Sequence, residues 1–166
     1  MRRPTRRPPR PDLPVGSGER LLAWAHTTDG GAVGGTRDAF YLPERLPWEQ
    51  VEAADWDVDT TTLTVTEVGR WGEVRPRHRL ELDDPDRLLQ LVRERVTASV
   101  VLVRHVPVDG RRGLRVVARR APGRLDGPDD LAWVYEFDAG VDPDDPAVRL
   151  AAAEALAAAR AEVGLG

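Results

Sequence analysis

The sequence contains no cysteine, lysine, isoleucine or asparagine. Without cysteine there is no thiol nucleophile, disulfide, zinc knuckle or iron–sulfur cluster. Without lysine there is no Schiff base and no Walker-type phosphate loop. Serine occurs only as Ser17 and Ser99, and neither lies in a G-x-S-x-G elbow. No run of about 18 uncharged apolar residues exists, so no membrane span is expected. The basic N-terminus is not followed by an apolar segment, so no signal peptide is expected and the cytoplasm is the default location.

What is present is arginine, alanine, glycine and proline, which make up 73 of the 166 residues. Their codons are GC-rich, so the composition reads as that of a high-GC bacterial genome. The arginine excess is therefore weak evidence for arginine-specific function. The net charge is −4 and 41% of residues are apolar. A chain of this length buries roughly 70% of its unfolded surface, enough for one domain or two small modules sharing a core. The acidic balance excludes the body as a nucleic-acid binder.

Residues 1–16 stand apart. They carry Arg2, Arg3, Arg6, Arg7 and Arg10 against the single acid Asp12, with prolines interleaved. Proline blocks helix and like charges repel, so an extended, disordered tail is expected. Its charge of +4 leaves about −8 on the body. The tail is a candidate for nucleic acid or an anionic surface by charge attraction, and Pro8-Pro9-Arg10-Pro11 fits a polyproline ligand. A plain solubilising extension is the alternative.

From residue 19 the chain reads as strands. Apolar or alternating segments cover 19–27, 36–42, 46–57, 60–68 and 74–82, and turn signals such as Asp29-Gly30-Gly31 separate them. A helix is expected from Pro85 to about Thr97, with Asp84 as N-cap and Leu88, Leu89, Leu91, Val92 and Val96 on one face. Three more strands are expected at 99–108, 114–121 and 131–138, with a hairpin turn at 109–113 between the first two. In the last, Leu131, Trp133, Tyr135 and Phe137 share a face. An alanine-rich helix then starts at Asp145-Pro146. The order lacks βα alternation, which predicts an α+β fold with antiparallel sheets rather than a doubly wound one.

Several stretches within 17–97 carry a resemblance. They are Glu19-Arg20-Leu21-Leu22-Ala23 before a strand, Gly35-Thr36-Arg37 leading to Phe40-Tyr41-Leu42, and Leu46-Pro47-Trp48-Glu49-Gln50-Val51, followed by a hairpin and the strand-to-helix passage from Leu80 to Val96. This pattern resembles bacterial pleckstrin-homology-like and GRAM-like domains. The resemblance implies a bent antiparallel sandwich whose open end is plugged by the helix from Pro85, and a binding module rather than an enzyme. Such families place basic residues in the first hairpin loop to hold phosphoinositides. Residues 27–31 contain none, so a protein or peptide partner is the implied ligand. Residues 98–166 would add a β-meander and the alanine-rich helix, packed on the first module. That helix is also a candidate homodimer contact.

The candidate binding surface is a basic face on the second set of strands. Arg115 and Arg119 share a face, Arg104 could join them across the sheet, and Arg111 and Arg112 sit at the hairpin. Other groups read as structural. His26, His78 and His105 share no ligand spacing, so no metal or other cofactor is expected. Asp138, Asp142, Asp144 and Asp145 lack a calcium-loop frame and suit a helix N-terminus, as do Asp83, Asp84 and Asp86. Glu49, Glu52, Asp55 and Asp57 near Trp48 and Trp56 could line a sugar cleft in a small hydrolase. Core tryptophans flanked by surface acids are the simpler reading.

Overall fold

The computed structural model describes residues 9–69, 74–121 and 131–164. Seven strands come first: β1 (Ala23–Thr27), β2 (Ala32–Gly35), β3 (Ala39–Tyr41), β4 (Arg45–Pro47), β5 (Val51–Asp57), β6 (Thr62–Glu67) and β7 (Arg77–Asp83). Helix α1 (Asp86–Ser99) follows, then β8 (Val100–Asp109), β9 (Arg112–Arg119), β10 (Ala132–Phe137) and helix α2 (Pro146–Glu162). The first seven strands form one sheet in the order β4-β3-β2-β1-β7-β6-β5, and the last three form a second in the order β10-β9-β8. Every pairing is antiparallel. The fold is α+β with antiparallel sheets.

The seven-stranded sheet wraps a core of Ala25, Val33, Phe40, Trp48, Val51, Leu63, Val65 and Leu82, closed by Leu88, Leu91 and Val92 of α1. The apolar stripe of α1 lies against β1, β2 and β5, so it fills the concave side of the sheet. The segment 46–57, expected as one strand, is two strands broken by a 3-10 turn over Trp48–Gln50. The break turns the Trp48 ring into the centre of the core. There its Nε1 donates to the Thr36 carbonyl at 3.0 Å and its ring stacks on Phe40 at 5.5 Å. Gly34 and Gly35 allow this crowding. A Cβ on Gly35 would lie 2.7 Å from Leu91 Cδ2 and 3.0 Å from the Trp48 ring, and one on Gly34 would meet Leu21 and Leu13.

That contact brings part of the N-terminal segment onto the body. Residues 1–8 lie outside the described residues, but residues 9–16 do not hang free as expected. His26 Nε2 donates to the Pro9 carbonyl at 3.2 Å, and Gly16 N–H donates to the Tyr41 hydroxyl at 2.8 Å. Beside it, Glu19 is held by Tyr41 (2.5 Å), Thr36 (2.9 Å) and Arg45 (3.0 Å). The Arg45 hydrogen bond first, then those of Tyr41 and Thr36, hold the Glu19 carboxyl below its ordinary value against the opposing effect of burial.

In the second sheet, residues alternate between two neighbours. Leu102, Val106, Leu114, Val116, Trp133, Tyr135 and Phe137 face α2, which contributes Val148, Ala152, Ala155 and Ala159. The alanine stripe is thus used within the chain. The turn from β8 to β9 is a two-residue loop, with positive φ at Gly110 but not at Arg111, the type II′ pattern. The two helix starts differ despite the shared Asp-Pro. Asp145 caps α2, accepting from Ala147 N–H at 2.8 Å. Asp84 does not cap α1; Pro85 holds the cap position without a side-chain bond, and Asp84 takes a left-handed φ of 45°. The sharp turn from β7 into α1 requires that conformation, and aspartate is among the few non-glycine residues that tolerate it.

Candidate functional site

The two sheets meet along a seam that begins where α1 runs into β8 without a loop. A small apolar contact of Val68, Val117 and Val134, flanked by Val100, joins them. Beside it Arg119 is buried, only 4% exposed. One arm of its guanidinium donates to Ser99 Oγ at 3.1 Å and the other to the Glu52 carbonyl at 2.9 Å. Among the described residues its Nε has no partner. Burial lowers its pKa, and the nearby charges of Glu136 and Glu52 oppose that.

Further along, the seam opens into a cleft of about 490 Å³ lined by Glu52, Ala53, Arg75, Arg115, Glu136 and Phe137. Arg75 clasps it, with one arm on the Glu52 carboxylate and the other donating to the Tyr135 carbonyl at 2.8 Å. Across the cleft Arg115 Nε pairs with Glu136 at 3.2 Å, as the strand register between β9 and β10 dictates. Among the described residues the second carboxylate oxygen of Glu52 is buried without a hydrogen-bond partner. The wall therefore offers half-exposed cations, carboxylates and a strip of apolar surface. It offers no nucleophile with an adjacent base.

The five arginines expected on one face are divided. Arg104 pairs across to Val116 and so points to the opposite side of the sheet from Arg115 and Arg119, where it bonds Glu162 of α2. Strand alternation makes that division unavoidable, since Arg104 lies opposite an even-numbered residue of β9. Arg111 and Arg112 are exposed at the β8–β9 turn. Arg119 is a buried tie between the halves. Of the five, only Arg115 lines the cleft. In the tail, Arg2, Arg3, Arg6 and Arg7 lie outside the described residues, and Arg10 is exposed.

Trp48 is fully buried, so it forms no wall of a sugar cleft. Asp57 shapes the β5–β6 turn by accepting from Asp59 and Thr60 N–H. His26, His78 and His105 lie on separate strands, the last two beside Glu67 and Asp138. Among the described residues no group of three metal-ligating side chains converges. Asp142 accepts from Asp144 N–H at 2.9 Å, shaping the approach to α2. Asp138 accepts from Gly113 N–H at 2.8 Å, which is the main cause of its lowered pKa.

Arg75, Glu136 and Phe137 were not expected at a site. The alternation in β10 shows that Glu136 faces away from the Trp133–Phe137 side, but its meeting with Arg115 depends on the strand register. Arg75 lies just before β7, and nothing local shows that it reaches β10. No protein-family model, curated protein or solved structure matches the chain.

Proposed function

We propose that this chain is a non-enzymatic interaction module, pleckstrin-homology-like in its first half, that takes a peptide segment of a protein partner into the seam cleft. The observation that carries this reading is the cleft itself. Charges of both signs line it, and Phe137 and Ala53 add apolar surface. Half-exposed Arg115 is a fork suited to a carboxylate of a peptide, and the apolar strip suits a neighbouring side chain. The strand order and the position of α1 against the concave sheet support the first-half resemblance. In the β1–β2 loop Asp29 is committed to the turn through Thr27 Oγ1 and Gly31 N–H, which favours a peptide over a phosphoinositide. The test is peptide display on the full chain, comparing wild type with Arg115→Glu and with Arg111→Glu as an exposed control. An enriched peptide family lost at least tenfold in Arg115→Glu and kept in Arg111→Glu is the expected result. Equal binding by both variants would show that the cleft is not the site.

A further inference from the structure

Strand β8 is an edge of the second sheet, and among the described residues no strand pairs with its outer side. Such an edge invites pairing unless it is blocked. Asp138 N–H donates to the Gly113 carbonyl, so the odd-numbered residues of β9 bond toward β10 and the even-numbered ones toward β8. In the β8–β9 register, Arg104 and Val106 then point their backbone groups inward. Val103, His105 and Pro107 point theirs outward. Pro107, which lacks an N–H, closes one end of this free edge, and the bulge between Val100 and Leu102 closes the other. The side chains on the open stretch are unusually apolar for a solvent edge, with Val101 44% exposed and Val103 55% exposed.

We infer that the β8 edge pairs with the β8 edge of a second copy of this chain, antiparallel about a twofold axis through Val103. That register sets Val103 against Val103 and Val101 against His105, and sets Arg104 against Leu102. No like charges oppose each other, and two backbone hydrogen bonds form at the Val103 pair, with the Val101–His105 pairs on either side limited by the bulge. Shifting the axis to Arg104 would oppose two guanidiniums, and shifting it to His105 would bring Pro107 into the ladder. The two three-stranded sheets then become one continuous sheet of six.

The helices fit the same arrangement. Helix α2 lies over β8 and β9. In the pair, the two α2 axes are separated by about two strand spacings, roughly 10 Å. Helices pack at 8–10 Å. On the flank of α2 that carries Glu162 toward Arg104 of β8, helical spacing places Ala147, Ala151 and Ala158, with Glu154 and Glu162 as the larger side chains, so most of this flank is small. About the Val103 axis β8 overlaps its copy over residues 100–106, about 23 Å, and the sheet-plus-helix layer is roughly 20 Å thick. The footprint is therefore on the order of 450 Å² per copy, at the small end for a specific interface and in keeping with a weak dimer.

The experiment is sedimentation velocity on the full chain from about 1 to 200 μM, with Val103→Lys and Val103→Cys. Wild type is expected to dimerise within this range. Val103→Lys, which places two cations across the axis at an exposed position, is expected to dimerise at least tenfold more weakly with unchanged circular dichroism and Tm. Because the chain has no cysteine, Val103→Cys is expected to give an interchain disulfide under mild oxidation, and Val58→Cys in the exposed β5–β6 turn is not. If Val103→Lys folds poorly, the cysteine pair decides. A wild type that stays monomeric to 200 μM, a dimer indifferent to Val103→Lys, or equal cross-linking at Val58 and Val103 would each overturn the inference.

Discussion

The two sheets are each covered by one helix, and they divide the work of filling a core in opposite ways. In the first, α1 brings leucine and valine to a curved sheet that already holds Phe40 and Trp48, so helix and sheet both contribute bulk. In the second, α2 brings mostly small side chains, Val148 and three alanines with the half-buried Leu156, and Leu114, Val116, Trp133, Tyr135 and Phe137 of the sheet supply most of the volume. A concave sheet leaves space that only large helix side chains fill. A three-stranded sheet with large side chains of its own leaves room mainly for small ones along the centre of the helix face.

The contrast gives opposite sensitivities to residue size. Trp48→Ala in the first core is expected to cost about 3–5 kcal/mol, since a fully buried ring is lost and its bond to Thr36 with it. In the second core the damaging change runs from small to large. Ala152→Leu is expected to cost about 1–3 kcal/mol by pushing α2 off β8 and β9, whereas Leu150→Ala on the exposed side of α2 should fall within about 0.5 kcal/mol. Urea unfolding of the three variants measures all of this. If Ala152→Leu stabilises the protein, the second sheet is not filled from its own side.

Much of this division was legible in the sequence. The apolar spacing of residues 88–96 marked α1 and its buried face, and alternation in 131–137 marked the side of β10 that meets α2. The alanine run predicted close approach. What stayed hidden was register and reach. Nothing near Arg104 shows that it pairs with Val116 and so leaves the face of Arg115. Nothing near Arg75 shows that it spans from Glu52 to Tyr135. The cleft is built from such long-range meetings, so only one of its lining residues, Arg115, was on the expected binding face, with Glu52 weighed for another role.

The two halves differ as well in how they hold charge. The first holds a partly buried Glu19 among three donors, Tyr41, Thr36 and Arg45, whereas the second keeps its ion pairs, Arg104–Glu162 and Arg115–Glu136, near the surface. Exposed pairs contribute little. Glu19→Gln is expected to cost about 1–3 kcal/mol at pH 7, and Glu136→Gln less than about 0.5 kcal/mol. The pH dependence separates them further. A carboxyl whose folded pKa is depressed gives stability that is complete above its unfolded pKa and is lost as pH falls through the folded one. Wild type should therefore lose more stability in the acid range than Glu19→Gln, and the two curves should converge there.

The finest contrast is between two helix starts that share the dipeptide Asp-Pro. Asp145 accepts a hydrogen bond from Ala147 N–H, so Asp145→Ala should lower stability by about 1 kcal/mol. Asp84 makes no cap bond and sits at a φ of 45°, where a side chain carries a steric cost. Asp84→Gly relieves that cost and should raise stability by up to about 1 kcal/mol, less the entropy that glycine adds to the unfolded chain. Measuring both by thermal unfolding tests whether backbone conformation or side-chain capping governs each start. A loss of about 1 kcal/mol in both variants would mean that Asp84 also serves α1 through its side chain, and the two starts would then be alike.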